Sequence, residues 1–141
     1  MKRAVCCGLG LACLVVSARA ASLEVEVDGI EPGSGTVYVA LCQGGLAEST
    51  CRSGKDAPAD GRSQRVLFKG IEPGVYAVVA YQDINGNGRI DRTGLGLPLE
   101  PYGVSRGGGR RARPDFATAS FPLDEPGAAV RVRLARTLPS R

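Results

Sequence analysis

Leu23-Glu24-Val25-Glu26-Val27-Asp28 alternates apolar and acidic residues without a break. A β-strand sends successive side chains to opposite faces, so a period of two describes a strand with one dry and one wet face. The same signature closes the chain. In Ala129-Val130-Arg131-Val132-Arg133-Leu134, Val130, Val132 and Leu134 turn inward and the arginines outward. The acidic outer positions Glu24, Glu26 and Asp28 can therefore pair with Arg131 and Arg133, each pair contributing a fraction of a kcal/mol.

Working inward from these two strands, Gly29-Ile30-Glu31-Pro32-Gly33-Ser34-Gly35 is a turn and Thr36 to Cys42 a second strand. The Gly- and Pro-rich turn predicts that the first two strands pair as a hairpin. Gln43 to Arg62 is polar and is expected to be a long connection, followed by a short strand over Arg65 to Phe68. Gly70-Ile71-Glu72-Pro73-Gly74 repeats the Gly-Ile-Glu-Pro-Gly of residues 29–33 and is expected to be a similar turn into a strand. Val75 to Gln82 is the most apolar stretch beyond the N-terminus, as a central strand would be. Regular structure is not legible from Asp83 to Pro114, and Phe116 to Phe121 is expected to be a short strand or turn. No amphipathic helical period of useful length occurs after residue 20. The class is all-β, with about seven short strands between Gly/Pro turns forming a single sandwich.

The N-terminus is expected to be an export signal over residues 1–20, leaving one domain over 21–141. Lys2 and Arg3 precede an apolar run from Ala4 to Val16 that is too short to span a bilayer, and Ala18 and Ala20 offer the small-x-small cleavage pattern. Lipidation at Cys13 is the alternative, but Gly10 stands where an apolar residue is usual three positions earlier. The location is then periplasmic or secreted. Three of the 18 basic residues (Lys2, Arg3, Arg19) leave with the signal, so 15 remain against 14 acidic, a net of +1. The basic character of the whole chain therefore says little about nucleic acid. Of the five cysteines only Cys42 and Cys51 remain, with eight residues between them, and in an oxidising compartment they are expected to form a disulfide rather than stay free thiols. A zinc or thiol-redox site is not expected, given the lack of histidine, of a Cys-x-x-Cys and of further cysteines.

Asp83-Ile84-Asn85-Gly86-Asn87-Gly88-Arg89-Ile90-Asp91 places oxygen-bearing side chains at relative positions 1, 3, 5 and 9, with Gly at 6. This is the spacing of the first part of a calcium loop, with the carbonyl of Arg89 at position 7. The loop follows a strand rather than a helix, and Gly94 stands where a bidentate Glu would close an EF-hand. Calcium affinity would be on the order of 0.1–1 mM unless Glu100 completes the shell. The competing reading is a metal-free turn in which Asp and Asn side chains cap their own backbone. Glu100-Pro101-Tyr102-Gly103 is expected to fold back over this loop. Residues 102–141 carry a net +5 against −4 for residues 21–101. In that basic half, Arg106, Arg110, Arg111 and Arg113 form a Gly-rich run able to grip anionic groups or to stay solvated as a linker. No aromatic interleaves with these arginines, so a nucleic-acid platform is not expected.

The runs Gly74–Asp83, Asn85–Gly88 with Asp91, Gly96–Ser105 and Pro114–Phe121, in that order, resemble the DUF2141 family of exported bacterial proteins. The resemblance implies a prealbumin/transthyretin-like (Ig-like) β-sandwich and an envelope location, with no established activity. The loop is also similar to calcium loops in B-type repeats of surface adhesins. The chain departs from the family at Arg106–Arg113, where Asn and aromatic residues would be expected. The resulting expectation is a non-catalytic envelope module. A weak calcium loop of Asp83, Asn85, Asn87, Arg89, Asp91 and Glu100 would present Tyr102 and the arginines of 106–113 to a protein or glycan. The alternatives are a purely structural protein with a metal-free turn, and a hydrolase using Asp83, Asp91 and Glu100. The lack of histidine removes the commonest general base and the usual nucleophile pairs, and sets the chain apart from the His-dependent hydroxyisourate hydrolases of the same fold class.

Overall fold

A computed structural model describes residues 19–110 and 113–138, with side chains except those of 108–110. The expected signal up to residue 18, Cys13, Arg111 and the Arg110 side chain lie outside the described residues. Among the described residues eight strands form two packed sheets: β1 (Ala21–Asp28), β2 (Thr36–Cys42), β3 (Cys51–Pro58), β4 (Ser63–Ile71), β5 (Gly74–Asp83), β6 (Tyr102–Val104), β7 (Phe121–Leu123) and β8 (Gly127–Arg133). One sheet has the order β4-β1-β8; the other runs β3-β2-β5-β6, with β7 also on β5. Among the described residues no helix is long and apolar enough to cross a membrane.

The alternating strands behave as their pattern demands. Leu23, Val25 and Val27 of β1 face Val37, Val39 and Leu41 of β2 across a core completed by Val78, Phe121, Leu123 and Val132. β8 runs parallel to β1 with Glu26 opposite Arg131 and Asp28 opposite Arg133. The charges meet on the outer face as expected, Arg131 lying 3.3 Å from Glu26 and 3.7 Å from Asp28, and Arg133 4.0 Å from Asp28.

The hairpin of the first two strands does not form. Both edges of β1 are occupied, by β4 antiparallel and by β8 parallel, so β2 belongs to the opposite sheet. Gly29–Gly35 is a crossover between layers, pinned to the far sheet by Gln82. That fully buried amide accepts from the Glu31 N–H (2.9 Å) and donates to the carbonyls of Glu31 (2.7 Å) and Ser34 (2.6 Å). Gly35, at φ 67°, lies so close to the Asp83 carbonyl that a Cβ would overlap it, and only glycine serves there.

Two further expectations need correction. The polar connection from Gln43 to Arg62 contains β3, an edge strand paired with β2 along its length. The segment after Asp83 contains β6, and Phe116–Ala119 is a single helical turn, α1, capped by the Asp115 side chain on the Thr118 N–H (2.7 Å). β6 and β7 occupy the same edge of β5, opposite residues 79–81 and 74–76. The buried Ser105 hydroxyl fills the gap between them, accepting from the Val78 N–H (2.9 Å) and donating to the Ala119 carbonyl (2.6 Å). Cys42 and Cys51 are disulfide-bonded, as expected, where β2 and β3 meet.

Candidate functional site

The Asp83–Asp91 loop leaves the end of β5, the best-braced strand of its sheet. Its geometry is that of a loop capped by its own side chains. Asp83, only 1% exposed, accepts from the N–H groups of Gly86 (2.8 Å) and Asn87 (3.2 Å) at Oδ1 and from Gly88 (2.7 Å) at Oδ2. Asn85 Oδ1 accepts from the Asn87 N–H (3.2 Å), and Asn87 Oδ1 from the Arg89 N–H (3.1 Å). The two amide groups turn their nitrogens to Asp91. Asn85 Nδ2 lies 2.6 Å from Asp91 Oδ2, and Asn87 Nδ2 lies 2.9 Å from both oxygens. These amide bonds, that from Asn87 first, hold the Asp91 carboxyl below its ordinary pKa against a little desolvation, with help from the Arg89 charge. The Arg89 guanidinium stands 3.7 Å from the same carboxylate.

Glu100 folds back onto the loop, as the sequence suggests, but its carboxylate clamps backbone. It is 5% exposed; Oε1 accepts from the Ile84 N–H (2.8 Å) and Oε2 from the Asp91 N–H (3.1 Å), tying both ends of the loop together. Nearby, Arg136 makes a two-pronged pair with Glu31 (2.7 and 2.8 Å) and donates to the Leu99 carbonyl (3.3 Å). Its hydrogen bonds are the main reason the Glu31 pKa is lowered and that of Arg136 raised.

A cation in this loop would have to be held by oxygens of Asp83, Asn85, Asn87 and Asp91 and the Arg89 carbonyl. As disposed, the set does not fit one. Asp83 and Glu100 turn their oxygens to backbone N–H groups rather than to a common centre, the asparagines present donors to Asp91, and a guanidinium stands beside it. Among the described residues no three His, Cys, Asp or Glu side chains come together in a cluster that could hold a metal ion.

The sequence-predicted partner surface is rearranged. Tyr102 is 5% exposed and packs with Ala77, Val104 and Ala119 in a second apolar cluster, its remaining surface lining the cleft described below. Burial pushes its phenol up to about 12. Arg106 is exposed and donates to the Ser120 carbonyl (3.2 Å), and Arg113 is exposed. With Arg111 and the Arg110 side chain outside the described residues, the arginine run as a unit stays an expectation.

What sequence reading missed is a cleft of about 700 Å³ on the outer face of the larger sheet. Tyr38, Ala40, Val79 and Tyr81 line its sheet side, while Leu46 and Glu48 from the β2–β3 connection and Arg89 and Ile90 from the Asp83 loop wall it. Tyr38 and Tyr81 are cross-strand partners with stacked rings, 5.1 Å apart and 14° from parallel. The Tyr81 hydroxyl reaches the Gly88 carbonyl at 3.4 Å, linking cleft to loop. Burial, then electrostatic repulsion from neighbouring Tyr38 and from the carboxylates of Asp83, Glu100 and Glu48, pushes the Tyr81 phenol up to about 12, so it stays a neutral donor at ordinary pH. The signal available in the sequence was the pair of tyrosines on the wet faces of two strands, where polar residues would be expected.

Against known proteins, a family model described as "Uncharacterized protein conserved in bacteria (DUF2141)" matches residues 25–131. No curated protein and no solved structure matches.

Proposed function

This chain belongs to the DUF2141 family, and we propose that it is an exported, non-catalytic β-sandwich module that binds a glycan segment in the cleft beside Tyr38 and Tyr81. The observation that carries this reading is the cleft itself: a partly enclosed, largely apolar recess with charged groups on its walls. A saccharide has apolar C–H faces and hydroxyl edges. The tyrosine rings match the faces, and Glu48, Asp56, Arg89 and Arg92 around the cleft offer acceptors and donors to the edges. The mixed signs of charge disfavour a strongly anionic or cationic ligand.

The Asp83 loop serves in this reading as a rigid, metal-independent wall, because Asp83 already accepts from backbone donors and Asp91 from the two asparagine amides. The same commitments support a non-catalytic role. A general base must reach its substrate, and Asp83 and Glu100 are buried with each carboxylate oxygen already accepting a backbone N–H. The envelope location rests on the N-terminal leader pattern.

With no tryptophan in the chain, tyrosine emission reports on the cleft. Titration of the mature protein with neutral oligosaccharides should change that emission saturably, and Tyr38→Ala should abolish the change without altering the fold. No saturable response at millimolar sugar defeats the glycan reading. The metal-independent wall is tested separately. A clear rise in melting temperature on adding millimolar calcium to EDTA-treated protein would overturn it in favour of a calcium loop.

A further inference from the structure

The loop that walls the cleft contains two Asn-Gly steps, Asn85-Gly86 and Asn87-Gly88. Such a step is chemically labile. The glycine backbone nitrogen, after losing its proton, attacks Cγ of the preceding asparagine. The bond from Cγ to the amide nitrogen breaks and ammonia leaves with the proton it needs. Water then opens the five-membered imide to aspartate or isoaspartate. Glycine favours the attack because it has no side chain to crowd the ring and allows the backbone to swing. Both asparagines are exposed, and exposed Asn-Gly steps in an unrestrained chain would react.

Here both nucleophiles are engaged. The Gly86 N–H is held by Asp83 Oδ1 at 2.8 Å and the Gly88 N–H by Asp83 Oδ2 at 2.7 Å. A carboxylate beside an N–H disfavours the anion that the reaction requires, because two negative charges would then face each other. Ring closure would also have to pull each nitrogen away from Asp83. The electrophiles are restrained as well, since the amide groups of Asn85 and Asn87 are fixed on Asp91 and on the N–H groups of Asn87 and Arg89.

We propose that Asn85 and Asn87 form a latent deamidation site, kept closed by the single carboxylate of Asp83. The consequence of opening is one-way. A new carboxylate at position 85 or 87 would face Asp91 where N–H donors now stand at 2.6–2.9 Å, and like charges would keep the loop from closing again. Isoaspartate would lengthen the backbone besides. Arg89 and Ile90, which wall the cleft, lie immediately after the reacting residues. This inference stands on the loop alone and holds whether or not the cleft takes a glycan.

The test incubates mature wild-type protein in mildly alkaline buffer at physiological temperature and follows residues 85 and 87 by peptide mass spectrometry. Isoaspartyl methyltransferase labelling detects the rearranged product. Native protein should deamidate at least about tenfold more slowly than the same chain in concentrated urea, as expected when reaction needs local opening. Asp83→Asn, which leaves one of the two glycine N–H groups without an acceptor, should react several-fold faster than wild type while still folded by circular dichroism. Asp91→Asn, which leaves both glycine bonds in place and loosens only the amide restraint, should gain far less than Asp83→Asn. Equal rates in native and unfolded wild type overturn the proposal, as does an Asp91→Asn variant as labile as Asp83→Asn. Should Asp83→Asn fail to fold, hydrogen exchange at the Gly86 and Gly88 amides of wild type decides, since exchange there at unfolded-chain rates removes the shield.

Discussion

Replacing Glu100 by alanine should lower the melting temperature by about 8–12 °C, equally in EDTA and in calcium. The substitution removes the acceptors for the Ile84 and Asp91 N–H groups, at 2.8 and 3.1 Å. A hydrogen bond to a charged acceptor contributes about 1.5–3 kcal/mol. Both sites are only partly buried, so water recovers part of the loss, and removing a buried carboxylate relieves its own desolvation. A net loss of about 2–3 kcal/mol remains. For a domain of this size each kcal/mol moves the transition by about 4 °C, which gives the range stated. The assay is thermal unfolding followed by circular dichroism, with Glu100→Gln as a milder companion that retains one acceptor and should fall about halfway. The calcium arm separates a backbone clamp from a metal ligand. A ligand would leave the EDTA melting points alike and abolish a calcium-induced rise. A Glu100→Ala protein that melts within about 2 °C of wild type in EDTA would refute the clamp.

Reduction of the Cys42–Cys51 bond, or its replacement by two serines, should cost about 2–3 kcal/mol in urea unfolding with little change in the native spectrum. No measurable loss would mean that the unfolded chain is not restrained by it. The Glu31–Arg136 pair predicts a pH signature. The Glu31 pKa is lowered in the folded protein, so its contribution is present above the unfolded value near 4.5 and disappears as pH falls through the lower folded value. The melting difference between wild type and Arg136→Ala, worth at most about 1 kcal/mol for so exposed a pair, should therefore be largest near neutrality and shrink in acid. A difference that is constant down to strong acid would assign it to the Leu99 hydrogen bond and packing instead.

What could be read from the sequence follows from what each signal measures. Alternation in β1 and β8 reports which face is dry, and it placed Leu23, Val25, Val27, Val132 and the charges opposite them. It carries no information about which neighbour lies at a strand's edge, and so β4 and β8 as the partners of β1 are not legible in it. β3, Cys-Arg-Ser-Gly-Lys-Asp-Ala-Pro, is held by its ladder to β2 and a disulfide and has no fully buried residue, so no apolar pattern marked it. β6 has three residues and takes its place from the edge of β5 that β7 leaves open. The loop was legible as a loop, and its fold-back by Glu100 too. Whether a carboxylate faces a cation or an amide N–H depends on the path of the backbone, which spacing does not encode. The cleft was illegible for a related reason, because its walls come from connections far apart in sequence and only the sheet brings them together.

The polar groups at this end of the sandwich have one structural logic. The apolar core stops near Ile30 and Leu134, and from there Gln82, Asp83, Glu100 and the Glu31–Arg136 pair carry the packing. Buried polar groups weaken a protein when any of them lacks a partner, and rigidify it when all are matched. Among the described residues no buried side-chain nitrogen or oxygen is without a hydrogen bond. A satisfied network of this kind has fixed directions, unlike an oily contact, and so it can hold a Gly-rich loop in one conformation without a regular element. Gly86 and Gly88, whose positive φ angles of 73° and 77° let the chain double back, would otherwise make the loop the least constrained part of the molecule. Asp83 turns that freedom into a defined wall for the cleft. By the same bonds it protects the two asparagines whose chemistry would unmake it.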